Sequence, residues 1–338
     1  MMFREIARKG RIFMIRRPEM FKEAECGRCK NIIIQILLFF AVFIVSNTLQ
    51  SILPTIIMMV DMVKEISKIG VEQLNENDFQ AIMDAIMELQ STRLYLLVML
   101  FVTIFGIITP IIFCKFIEKR PLTSMGFKKK NAVRDYLVGL VIGFLMFSAV
   151  ILINVLTGAM TIEGFSENLG PVSILFVVIF FIAFVIQGAS EEIMTRGYFM
   201  TSLGSKHNMF LALMISSGMF GLFHLGNPGF TFLGFVNIIV VGAFFGLYII
   251  CFDNIWGACA LHTMWNFVQG NFYGVKVSGL TMSDSILTTS IDEEMKIING
   301  GSFGAEGGIA TTIVLLLCIG GLLLYMKATG KFAKGKAI

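Results

Sequence analysis

Five ionisable side chains sit in the most apolar part of this sequence. Between Pro171 and Gly270 the only Asp, Glu, Lys or Arg residues are Glu191, Glu192, Arg196, Lys206 and Asp253. All three histidines, His207, His224 and His262, fall in the same stretch. Lys206 and His207 belong to the polar turn "GSKHN", and Asp253 to "CFDN". Glu191, Glu192 and Arg196 ("ASEEIMTRGY"), His224 ("MFGLFHLGNPG") and His262 ("ALHTMWNF") are left among apolar neighbours. Glu192 and Arg196 are one helical turn apart and suit an internal ion pair. Glu191 points about 100° away from Glu192 and is free to act elsewhere. His262 and Asn266 are also one turn apart, so both project into the same space.

A carboxylate, two imidazoles and a carboxamide suit hydrolysis. A glutamate takes a proton from water. Histidine shares that task or ligates a metal that acidifies the water. Histidine and asparagine donors hold the developing oxyanion. Glu191, His224 and His262 serve equally as three zinc ligands or as a metal-free constellation. No H-E-x-x-H occurs, so the soluble zinc-protease arrangement is absent. Each group alone has a plainer reading. Glu192–Arg196 would tie helices together, a single buried histidine would be packed or hydrogen-bonded, and His262–Asn266 would clamp two helices. Their combination at one depth points to a reaction site.

The elements that must hold them are membrane helices. The chain has 338 residues, is 56% hydrophobic and only 15% charged, and a soluble domain would carry more charge. Apolar runs predict about eight spans, over 32–57, 94–117, 136–158, 171–204, 209–226, 231–251, 254–271 and 309–327. The expected class is all-α, a polytopic transmembrane bundle with an intramembrane polar cavity. A barrel would alternate in segments of about ten residues. At ~1.5 Å rise per residue, Glu191 lies about 20 Å from the turn at Gly204. On the same reckoning His224 lies about 22 Å deep, His262 about 12 Å and Asn266 about 18 Å. Ionisable groups at such depth cost on the order of 2.5–3.5 kcal/mol each and face one another or a wet cavity.

Four segments follow. Residues 1–30 form a basic lead with Arg4, Arg8, Lys9, Arg11, Arg16, Arg17, Lys22, Arg28 and Lys30. Residues 31–135 hold the first helices and an acidic extracytoplasmic loop. Residues 136–271 hold the reaction site. Residues 272–338 hold a second acidic loop, a last span and a basic tail with Lys327, Lys331, Lys334 and Lys336. The lead runs into too long an apolar stretch for a cleavable signal. Lysines and arginines of the lead, of 115–135 and of the tail place both termini in the cytoplasm. The acidic residues of 58–93 and 280–307, Asp284 and Glu306 among them, read as belonging to extracytoplasmic loops. The lead suits anionic lipid. Nucleic acid is not an expected partner, because no aromatic-interleaved basic module follows. Cys26 and Cys29 form a C-x-x-C that reads as two reduced thiols, since the second half of a zinc site is missing.

At this point the residues resemble a known family. "EEIMTRG" at 191–197 resembles the E-E-x-x-x-R motif of the CAAX prenyl protease and bacteriocin-processing family, also called the Abi family. "FGLFH" at 220–224 resembles its F-x-x-x-H motif, and "HTMWN" at 262–266 its H-x-x-x-N motif. The resemblance covers roughly residues 136–271. It implies an intramembrane endopeptidase. Glu191 would activate water with help from His224, His262 and Asn266 would hold the oxyanion, and Glu192 and Arg196 would support them. Eukaryotic members remove the last three residues of prenylated C-a-a-X proteins, and bacterial relatives are associated with bacteriocin maturation and immunity. The expected substrate is a membrane-associated peptide or protein, lipidated or bacteriocin-like, and the expected setting a bacterial cell membrane. The alternative is a non-catalytic immunity or peptide-binding protein on the same fold. A proton-coupled transporter is disfavoured, because no paired halves with broken helices are visible.

Overall fold

The computed structural model describes residues 13–69 and 76–334. Arg4, Arg8, Lys9 and Arg11 of the lead and Lys336 of the tail lie outside the described residues.

Each of the eight apolar segments is helical. They are α1 (Ile32–Ile69), α2 (Arg93–Ile117), α3 (Ala132–Leu156) and α4 (Pro171–Lys206), then α5 (Met209–Leu222), α6 (Phe232–Phe252), α7 (Trp256–Phe267) and α8 (Ile309–Ala328). Among the described residues six of them, all but α5 and α7, are long and apolar enough to cross a membrane. The chain is a multi-pass integral membrane protein. The expectation of eight full spans is corrected: α5 has 14 residues and α7 has 12. α5 ends at Leu222, and the string "HLGNPG" that follows is a turn in which Gly229 takes a φ of 69°. His224 therefore sits in the turn beyond α5 rather than inside a span. α7 continues as a π-helical turn, Val268–Phe272.

The first acidic loop is helical over the string "DFQAIMDAIMEL", whose pattern predicts a helix, and the second is pinned to the bundle. α1 has 38 residues, about 57 Å, against a hydrocarbon core of about 30 Å. A second helix, Glu76–Ser91, packs back against it, so most of the first loop is a helical hairpin. In the second loop Asp284 and Glu306 are buried. Asp284 accepts hydrogen bonds from Ser173 Oγ and Arg93 Nε, each at 2.8 Å, which pins the loop to the starts of α4 and α2.

Two small sheets mark opposite faces, so the class is mostly helical rather than purely so. Strand β1 (Phe13–Ile15) pairs antiparallel with β4 (Phe332–Lys334), which brings the first and last described residues to one face. The basic segment between α2 and α3 joins them there: Asp253 accepts from Met20 N at 3.0 Å and pairs with Lys128. Strands β2 (Met160–Phe165) and β3 (Leu287–Ile291) pair on the other face. The Cys26 and Cys29 thiols are free. Burial and the Glu118 carboxylate push the Cys29 thiol above its ordinary value, which disfavours a reactive thiolate.

Close helix approach is set by glycine. Gly139 and Gly143 of α3 form a G-x-x-x-G pair against α7. A Cβ on Gly139 would lie 2.4 Å from Gly257 O, and one on Gly143 2.7 Å from Leu261 O. On α4, a Cβ at Gly188 would lie 2.8 Å from Thr263 N, the residue after His262. Backbone cannot yield there as a flexible side chain could. Gly188→Ala should therefore destabilise the fold by about 1–3 kcal/mol through overpacking. Thermal unfolding in detergent checks this, and an unchanged midpoint would mean that α4 and α7 are free to separate.

Candidate active site

α4 changes from α to π geometry just after its paired glutamates, at Ile193–Met200. Such segments cluster at functional sites because they re-aim side chains. Here Glu192 and Arg196 turn inward and are fully buried. Arg196 Nη1 lies 2.9 Å from Glu192 Oε1 and also donates to Thr195 Oγ1 at 2.8 Å. Gly242 of α6 makes room for the guanidinium, since a Cβ there would lie 2.6 Å from Arg196 Nη2. Phe220 of α5 lies under it, with Cζ 4.3 Å from the ring centroid, a cation–π contact.

His262 stands between the two glutamates. Its Nδ1 lies 2.9 Å from Glu192 Oε1, and its Nε2 lies 3.5 Å from Glu191 Oε2. A carboxylate only accepts, so Nδ1 carries the proton, leaving Nε2 toward Glu191. The ring stacks on Phe245 of α6 at 5.1 Å. Glu191 Oε1 accepts from Gln187 Nε2 at 2.6 Å, whereas its Oε2 is buried without a hydrogen-bond partner. Gln187 Oε1 in turn accepts from Asn266 Nδ2 at 2.8 Å. A single chain of polar contacts thus runs Asn266–Gln187–Glu191–His262–Glu192–Arg196.

His224 is held separately. Its Nδ1 lies 2.8 Å from Phe220 O, a carbonyl that can only accept, so Nδ1 is protonated and Nε2 keeps its lone pair. The same Phe220 ring packs on His224 at 4.7 Å and edge-on to His262 at 6.0 Å. Glu191, His224, His262 and Asn266 all line one cavity of about 340 Å³, and Glu192 and Arg196 lie behind it. Polar residues of α1, Asn47 and Gln50, line its far side.

A protein-family model described as Rce1-like, type II CAAX prenyl endopeptidase, matches residues 171–268. The span contains Glu191, Glu192, Arg196, His224, His262 and Asn266 together. Residues 171–268 are a domain of this family. No curated protein and no solved structure matches the chain. Membership implies an intramembrane protease acting on a peptide or protein substrate.

The CAAX-endopeptidase domain does not gather three metal donors here. Among the described residues no group of three His, Cys, Asp or Glu side chains is placed to hold a metal ion. Glu191 and His262 meet, His262 Nδ1 is taken by Glu192, and His224 is anchored on its own turn. The set Glu191, His224 and His262 does not fit a zinc ion in this geometry. The sequence also hides a G-x-S-x-G string, Gly300–Gly304. Its Ser302 is exposed on a turn of the loop before α8 and takes no part in the cavity.

Sequence reasoning passed over three side chains of the site. Gln187 lies one turn before Glu191, a spacing that could have drawn notice, but an uncharged residue gave no signal. Phe220 is the first residue of the F-x-x-x-H string, and its backbone and ring both act on the site. Glu306 reaches the cavity from the loop before α8, outside the matched domain, and nothing local marks it.

Proposed function

We propose that this protein is an intramembrane endopeptidase that hydrolyses a membrane-associated peptide with water activated by Glu191. The observation that carries the reading is the state of Glu191. The residue lines the cavity; one oxygen is fixed by Gln187, and the other is buried with no hydrogen-bond partner, 3.5 Å from His262 Nε2. A buried acceptor left unpaired costs about 1–3 kcal/mol, which a protein tolerates where a reactant fills the gap.

In this reading water binds between Glu191 Oε2 and the free Nε2 of His224. Glu191 takes its proton as the water oxygen bonds to the peptide carbon. The carbonyl electrons move to oxygen, and the second N–H of the Asn266 carboxamide donates to the oxyanion. Glu191 then returns the proton to the leaving amine as the C–N bond breaks. Glu192 and Arg196 are positioning residues: the carboxylate holds His262 in its Nδ1–H tautomer, and the guanidinium balances the carboxylate. The substrate reaches this depth by partitioning into the bilayer, as a lipidated or amphipathic segment would. Comparison of the membrane peptidome between cells carrying the wild type and Glu191→Ala identifies it. A peptide shortened only by the wild type supports the reading, and identical peptidomes with full complementation of a deletion strain by the variant overturn it.

The same reading sets the chain ends in the cytoplasm, where the basic segments lie. Membrane-impermeant thiol reagents should label Ser290→Cys from outside intact cells and reach Cys26 only after lysis. Both residues are exposed in the fold. Labelling of Cys26 from outside would invert the topology.

A further inference from the structure

The cavity holds a second carboxylate that water activation does not use. Glu306 is 5% exposed and lines the cavity with Ser278, both from the segment between α7 and α8. Its Oε1 accepts from Trp265 Nε1 at 2.9 Å, and its Oε2 from Ser278 N at 2.8 Å and Ser278 Oγ at 2.7 Å. The indole and the backbone amide can only donate, so each oxygen accepts at least one hydrogen bond, an arrangement that suits a carboxylate. All its partners are neutral. Among the described residues no lysine or arginine forms an ion pair with Glu306. Glu192, by contrast, is balanced by Arg196. Among the described residues the lining includes Glu191 and Glu306 and no Lys or Arg. Low-dielectric walls strengthen such a field, and like charges brought into it repel.

We propose that this cavity selects its peptide by charge. It takes a segment that is neutral or cationic around the scissile bond and rejects one with a carboxylate within about three residues, roughly 10 Å of extended chain. Glu306 is the specificity-determining residue. The inference rests on the peptidase reading of the same cavity. It narrows the substrate class: removal of a free C-terminal tripeptide would place a carboxylate three residues beyond the cleaved bond, and this cavity offers no fixed cation to receive it. The cleaved bond then lies within a chain or beside a basic residue.

The test uses the full-length protein in detergent and a defined mixture of 14-residue peptides, each made as free acid and as C-terminal amide. Mass spectrometry reads the cleavage sites. Bonds within three residues of the C-terminus should be cut at least tenfold faster in the amides, and Glu306→Gln should reduce that ratio to below threefold. Equal cleavage of acid and amide near the end overturns the proposal, as does an unchanged ratio in a folded Glu306→Gln variant. Should that variant fail to fold, the acid–amide comparison on the wild type decides the matter. A second arm measures binding of fluorescent tetrapeptide amides and acids to Glu191→Gln by anisotropy. Tighter binding of the amides supports charge selection even if the wild type cleaves no peptide, a result that would sink only the hydrolytic reading. Equal affinity, preference for the acids, or no binding of either overturns charge selection.

Discussion

Glu191→Gln should lower peptidase kcat by about a hundredfold or more while the fold survives intact. Acid–base catalysis by a positioned side chain contributes about 10²–10⁴-fold, and a carboxamide cannot carry the proton. The substitution keeps shape and volume. The amide oxygen can still accept from Gln187 Nε2, the bond that orients the side chain. The amide nitrogen then faces His262 Nε2, replacing an oxygen that has no partner in the wild type. Thermal unfolding should therefore begin at the same temperature or higher, as often happens when a group kept for function is neutralised. Rate and unfolding midpoint are to be measured on the same preparation. A variant with wild-type kcat would remove Glu191 from the chemistry, and a variant that unfolds early would assign it a structural part instead.

The second large effect is on stability. Arg196→Met should destabilise the bundle by about 3–5 kcal/mol, because it leaves the Glu192 carboxylate buried without its cation. Both side chains are fully buried, so water cannot replace the lost partner. Arg196 also fills space against Phe220, which a methionine of similar length would largely keep. The double change Arg196→Met with Glu192→Gln should restore more than half of the loss. The glutamine removes the stranded charge, and its oxygen can still accept from His262 Nδ1. Unfolding midpoints of wild type, both single variants and the double variant form a cycle that isolates the pair. Additive effects would mean that the two side chains do not depend on each other.

These expectations rest on contacts of two kinds, and the sequence speaks to only one. Helical periodicity relates residues four apart whatever the rest of the chain does. The Glu192–Arg196 pair and the shared face of His262 and Asn266 were legible for that reason, and so was the membrane class, which follows from the length and purity of the apolar runs. Depth was less legible. Counting residues from a turn assumes straight full spans, and α5 stops at Leu222, which leaves His224 on a turn of its own. The burial of acidic residues in the second loop was not legible for a related reason. A carboxylate carries no local sign of burial; donors from distant parts of the chain must meet it, as Ser173 and Arg93 meet Asp284 and Trp265 meets Glu306.

Which imidazole meets which glutamate was decided by tertiary structure alone. His262 lies 70 positions from Glu192, yet it stands between both glutamates, because Gly188 lets α7 approach α4 to backbone contact. Local sequence determines the faces of each helix. It does not determine how far apart two helices stand or how one is rotated against the other, since those follow from packing summed over many distant residues. The sequence by itself therefore supplied the ionisable groups and their pairing along each helix. The fold decided their partners across helices, added Gln187 and Glu306, and made of them one cavity.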